Sequence, residues 1–206
     1  MLSLDSSLFA VAAEFTGTYA PYQGVALTPG PQGGIFIAAT DHGKVACIAY
    51  DPRGTADESA YILPSAELLK YAKGIKTAER ELRIDGSTGF VTTYRKSSSN
   101  DVREIPIARS NTQPPPLSRI MQSCIDTWGQ VPALSETSGR YSSAYIDKAV
   151  RVLSNRENSL VLSAFDGGPL RIQSDNGNLI VLIMPQTAVP IPPLPAWLAT
   201  YAMADK

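Results

Sequence analysis

The sequence predicts an α+β fold built from one repeated unit, a short helix followed by antiparallel strands. Three observations predict it. Apolar residues recur at i, i+3, i+4 and i+7 in two stretches and along part of that face in a third, the spacing of a half-buried helix. Each stretch is followed by short apolar or alternating runs bounded by Gly, Pro, Asn and Asp, which mark strands joined by tight turns. That order, helix and then three strand candidates, returns three times, as a repeat of pattern and not of residues.

Leu8, Val11, Ala12 and Phe15 predict the first helix, with Asp5 or Ser6 to cap its start and Gly17 to end it. Strands are expected over 24–28, 34–40 and 44–50. Pro29-Gly30-Pro31-Gln32-Gly33-Gly34 and Asp41-His42-Gly43 separate them, as suits an antiparallel meander. A short strand at 60–63 leads to a second helix, opened by Pro64-Ser65, faced by Leu68, Leu69 and Ala72, and stopped by Gly74. Strands are expected again over 81–85, 90–95 and 102–108. Thr112-Gln113-Pro114-Pro115-Pro116 is a stiff extended connector. Residues 117–128 form a candidate helix, and 129–139, polar and broken by Pro132, reads as loop.

The third unit opens at Ser142 or Ser143, with Ile146, Ala149, Val150 and Leu153 on one helical face. Its strands are expected over 158–165, 169–174 and 179–184. Leu170 and Ile172 alternate with Arg171 and Gln173, and Asp175-Asn176-Gly177 accepts the positive φ of a hairpin turn. From Leu179 to Met184 every residue is apolar, as in a strand covered on both faces, and Pro185 stops the run. The expected division is a complete domain over 1–111, a connector over 112–138, a partial domain over 139–186 and a proline-rich tail over 187–206.

With 206 residues the chain can bury one substantial core or two modest ones. Hydrophobic content of 44% against 18% charged residues excludes global disorder. The net charge of −1 shows no overall basicity, so contact with nucleic acid would need a local basic face. The apolar runs are far too short to span a membrane. The first twenty residues carry Asp5 and Glu14 but no Lys or Arg, and do not read as a signal peptide. Cys47 and Cys124 lie in unrelated contexts, which makes a reducing cytoplasm the expected setting.

Chemistry is sparse. His42 is the one histidine, and no His/Cys/Asp cluster has metal-ligand spacing. Neither a phosphate-binding loop nor a Gly-x-Ser-x-Gly nucleophile elbow is present. Glu79 and Glu81 read as solvated at a strand start. The expectation is a protein that is not an enzyme and carries no cofactor or metal.

Several strings resemble, in the same order, those of the bacterial DNA sliding clamp, the β subunit of the replicative polymerase. Ala39-Thr40-Asp41-His42-Gly43-Lys44-Val45-Ala46 is similar to the family's Ala-Thr-Asp-Gly-His-Arg-Leu-Ala segment. Leu63-Pro64-Ser65-Ala66-Glu67-Leu68-Leu69 resembles its Val-Pro-x-Lys-x-Leu helix entry. Pro115-Pro116-Leu117-Ser118-Arg119-Ile120 resembles the Phe-Pro-x-x-x-Arg-Val linker, and Ile183-Met184-Pro185 the terminal strand. The resemblance implies a DNA-clamp-like fold of about one and a half clamp domains, with sheets outside and helices lining a hole that encircles DNA. There are departures. His-Gly-Lys stands where the family has Gly-His-Arg, and the family's first domain has no counterpart. The first half of its last domain is replaced by roughly 124–139, and this chain continues past Met-Pro.

In the family these strings converge on an apolar groove that receives short linear motifs of polymerases and repair proteins. The resemblance therefore implies a peptide groove lined by Thr40, His42, Lys44, Val45, Arg119, Ile120, Ile183, Met184 and Pro185. The proline-rich tail could fold back to fill it. The resemblance also implies that basic residues on the helices face DNA: Lys70, Lys73 and Lys76 on and after the second helix, and Lys148, Arg151 and Arg156 on and after the last. The expected function is a non-enzymatic clamp-like module that binds double-stranded DNA without sequence specificity, clamp-binding peptides, or both, as a homo-oligomer. The alternative is an interaction protein that keeps the fold without encircling DNA, self-associating through an edge strand over 179–184.

Overall fold

The computed structural model describes residues 1–75, 77–95, 100–128, 137–156, 159–164, 168–190 and 195. The first unit comprises β1 (Leu2–Asp5), α1 (Ser6–Ala13), β2 (Val25–Pro29), β3 (Ile35–Asp41) and β4 (Val45–Asp51), and β5 (Thr55–Ala56) leads out of it. The second comprises β6 (Ala60–Leu63), α2 (Ala66–Ala72), β7 (Glu79–Asp85), β8 (Thr88–Tyr94) and β9 (Asp101–Pro106), followed by β10 (Ala108–Arg109) and α3 (Leu117–Trp128). The third comprises β11 (Thr137–Arg140), α4 (Ser143–Ser154), β12 (Leu160–Ser163), β13 (Leu170–Ser174) and β14 (Leu179–Ile183), with β15 (Thr187–Pro190) after it.

The first two units exchange strands. β1 pairs with β7 of the second unit, Leu2 opposite Ile84 and Leu4 opposite Leu82. In return β6 pairs with β2 of the first, Ile62 opposite Val25. One sheet has the order β5-β1-β7-β8-β9, the other β10-β6-β2-β3-β4-β14-β13-β12, and the ladders are antiparallel. Neither unit can close its sheet alone, so the two fold as one body.

α1 lies across the seam between the sheets, touching β3 and β4 of one and β1 and β7 of the other. It is apolar all round, as a helix enclosed on every side must be, with Leu8, Phe9, Ala10, Val11 and Ala12 all buried. Asp5 caps its start by accepting from the Ser7 amide at 2.8 Å. The buried Ser6 hydroxyl donates to the Ala72 carbonyl at the end of α2, 2.9 Å away. α1 stops at Ala13, before Gly17, and Phe15 is nonetheless core. Ser65 caps the start of α2, its hydroxyl accepting from the Leu68 amide at 3.1 Å.

Several expectations change. β1 and β5 were not anticipated. The expected strand over 102–108 divides at Ile107, whose amide turns to the Ser87 carbonyl. Part of the expected loop over 129–139 is β11, and part of the expected tail is β15. The two pair with each other, Arg140 opposite Thr187, so that β15 stands beside β11 much as β2 stands beside β6. Their backbone groups need partners that only a distant segment supplies. Last, the stretch expected to be a self-associating edge is interior. β14 has β13 on one side and β4 on the other, so both its edges are satisfied within the chain.

Candidate functional site

The β3–β4 hairpin turns on His42 and Gly43, at φ +51° and +70°. Three residues, His42 to Lys44, separate the paired Asp41 and Val45, and the Lys44 amide closes the turn on the Asp41 carbonyl at 2.9 Å. Glycine adopts positive φ freely, and histidine is among the side chains that tolerate it. Thr40 fastens the turn from within: its buried hydroxyl donates to the Val45 carbonyl at 2.7 Å and accepts from the Gly43 amide at 3.2 Å.

β14 runs along β4 with Ile183 opposite Val45, and the Met184 amide then donates to the Lys44 carbonyl at 2.9 Å. Two distant strings of the sequence therefore meet. Their side chains divide by depth: Thr40, Val45 and Ile183 are buried beneath the junction, Met184 and Pro185 are half-buried, and His42 and Lys44 are exposed at its rim. The direct surface is thus smaller than the expected lining, and the buried residues act as its floor. Arg119 and Ile120 belong to α3, and their side chains lie outside the described residues, as does the tail beyond Pro190 apart from Pro195.

Two further walls were absent from the expectation. The loop before β2 carries Tyr19 and Tyr22 onto the hairpin, with ring centroids 5.8 and 4.5 Å from that of His42. Tyr61 holds this loop, donating to the Pro21 carbonyl and accepting from the Gly24 amide at 3.0 Å. Gly17 permits the approach, because a Cβ there would lie 2.9 Å from Asp41 Oδ1 and from Tyr22 Cβ. The other wall is α4, whose Tyr145 hydroxyl donates to Asp41 Oδ2 at 2.7 Å. Asp41 Oδ1 meets His42 Nδ1 at 2.5 Å. Partial burial pushes the Asp41 carboxyl up, but the bonds from Tyr145 and His42 outweigh it and hold it below its ordinary value. Burial, reinforced by Asp41, pushes the Tyr145 phenol up to about 12. The aromatic-proline string over 17–22 was the signal that could have marked this loop. For Tyr145 no local signal exists.

The basic residues fare differently from one another. Lys148 Nζ donates to the Glu14 carbonyl at 2.8 Å, at the C-terminal end of α1. The Arg156 guanidinium meets Ser7 Oγ and, at 3.4 Å, Asp5 Oδ2 at its start. α4 thus lies antiparallel to α1 with a cation on each end of it. Lys73 lies 3.7 Å from Glu14 Oε1. Lys70 is exposed, 5.3 Å from the Tyr71 ring centre, and Arg151 is exposed on α4. Lys76 lies outside the described residues. A cleft of about 940 Å³ between α1, β7 and the end of α4 mixes Glu14, Glu79 and Glu81 with Lys73, Arg80 and Arg156, so it offers no single-sign surface to a phosphate backbone. Among the described residues no group of His, Cys, Asp or Glu could hold a metal ion.

Paired helix-and-strand units that exchange their first strands, joined edge to edge into a continuous sheet, define the DNA-clamp fold, and this chain has it. Solved structures bear this out. The DNA polymerase III β subunit of Borrelia burgdorferi superposes with a TM-score of 0.56 at 10% identity, over 91% of this chain and 64% of that one. That of Thermotoga maritima gives 0.53 at 11% identity, over 97% and 67%. The proliferating cellular nuclear antigen of Entamoeba histolytica gives 0.54 at 9% identity, over 90% and 99%. The chain therefore spans less than two thirds of the Borrelia subunit. No protein-family model matches the sequence, and no curated protein matches it. Among the described residues no helix is long and apolar enough to cross a membrane.

Proposed function

We propose that this chain is a non-enzymatic, sliding-clamp-like module that receives short linear peptides of replication or repair proteins at the β4–β14 junction. The observation that carries the reading is the Met184–Lys44 backbone bond, because it assembles one surface from the two strings that resemble the clamp family's groove. A half-buried methionine adapts to varied apolar side chains, Pro185 stiffens its neighbourhood, and exposed Lys44 can anchor a peptide carbonyl or carboxylate. The reading needs no cofactor and no membrane, and sets the chain in the cytoplasm.

Fluorescence anisotropy with a labelled clamp-binding peptide tests it. Saturable binding is expected, weakened about tenfold or more by Met184→Glu and by Lys44→Glu. Binding that ignores both changes, or no binding at low salt, sinks the reading.

DNA encirclement is the second reading, favoured by exposed Lys70 and Arg151. Light scattering with a closed DNA circle addresses it. Retention on the circle that is lost on linearisation supports a topological clamp, and indifference to DNA leaves only the peptide reading.

A further inference from the structure

We propose that the outer edge of β12 pairs with the same edge of a second copy of this chain, joining two eight-stranded sheets across a two-fold axis. β12 ends its sheet, with β13 along one side and no strand among the described residues along the other. Its counterpart in the second unit is β7, and there the same side is covered by β1 in antiparallel register. The third unit offers no equivalent of β1 among the described residues.

The edge also lacks the usual protection. Free edges are blunted by shortness, by charged side chains or by proline. β5 and β10 have two residues each, and β9 carries Asp101, Arg103, Glu104 and Pro106. β12 reads Leu160-Val161-Leu162-Ser163, without charge or proline, and Val161 and Leu162 are 42% and 54% exposed on opposite faces.

Self-pairing suits this strand. A two-fold axis perpendicular to a sheet brings equal edges together antiparallel and keeps each side chain on its own face. Centred on Val161, it sets Val161 against Val161 and Leu160 against Leu162. The three central cross-strand pairs are then apolar, with a β-branched pair in the middle. The inference rests on the fold alone and stands apart from peptide or DNA binding.

Sedimentation velocity on the full chain across a concentration series tests it, alongside two variants. The wild type is expected to shift from monomer to dimer, and Val161→Lys to remain monomeric with an unchanged far-UV spectrum. In a Cys124→Ser background, Val161→Cys is expected to give an intermolecular disulfide on mild oxidation, because directly opposed Cβ atoms stand within about 5 Å. Val102→Cys, on the β9 edge, serves as the control and is expected to cross-link at least tenfold less. A wild type that stays monomeric, a dimer that survives Val161→Lys, or cross-linking that favours position 102 overturns the proposal. Because Val161→Cys is a mild change, it decides the matter even if the lysine variant does not fold.

Discussion

The Tyr145 hydroxyl donates to Asp41 at 2.7 Å, and 104 residues separate the two. The bond ties the third unit to the hairpin that forms the rim of the β4–β14 junction. Removing it with Tyr145→Phe is expected to cost about 1 kcal/mol, less than is usual for a hydrogen bond to a charged group because the site is only partly buried. The cost depends on pH. Asp41 has a folded-state value below its ordinary 3.8, so its contribution is present above that value and is lost as pH falls through the folded one. Urea midpoints of wild type and variant should therefore differ at pH ~7 and converge as pH falls below the folded-state value. A constant difference would show that the bond contributes through packing alone.

Two glycines near this bond separate conformational from steric cost. A Cβ on Gly43 meets nothing within 4 Å, so Gly43→Ala is charged only for holding alanine at positive φ, about 1–2 kcal/mol. Gly17→Ala instead drives a methyl group against Asp41 and Tyr22 and should displace the aromatic loop. NMR shifts of the His42 ring are expected to move strongly in the Gly17 variant and little in the Gly43 variant. The reverse order would mean that the loop is not packed on the hairpin.

Most elements were legible because their signals are local. Leu170 and Ile172 alternating before Asp175-Asn176-Gly177 specify a hairpin from within a few residues, and Gly177 does take positive φ. Strands whose partners are distant were not legible. β1 is four residues long and acquires its meaning only from β7, and β11 and β15 acquire theirs only from each other. The site divides in the same way. The strings around Lys44 and Met184 resembled a groove, but burial of Thr40, Val45 and Ile183 follows from a register that joins β4 to β14. Likewise, helical spacing set Lys148 on the last helix and Arg156 just beyond it, but not that the two reach opposite ends of α1.

Cys47 gives a test of that register. It lies in β4 opposite Val181, fully buried, and burial pushes its thiol well above the ordinary range. A thiol that cannot ionise does not react, so alkylation at Cys47 is expected only after unfolding. Its labelling rate in native buffer should follow global opening, rising with denaturant in parallel with the loss of far-UV signal. Fast labelling under native conditions would mean that β14 detaches from β4 while the rest stays folded.

The basic residues divide into two groups that mutagenesis can separate. Lys148 holds the carbonyl end of α1 and Arg156 its capped start, so Lys148→Ala is expected to lower stability by about 1 kcal/mol. Lys70 and Arg151 are exposed, and reversing both to Glu should leave the melting temperature within a degree or two, since surface changes of this kind are worth under ~0.5 kcal/mol. If the helices also contact phosphate, the same reversal should flatten the dependence of DNA affinity on salt by roughly 0.9 in log–log slope per lost contact. Lys148→Ala should leave that slope unchanged, because its ammonium is already bonded to the Glu14 carbonyl. A Lys148 variant that keeps its stability but loses DNA would reassign α4 from a packing helix to a phosphate-facing one.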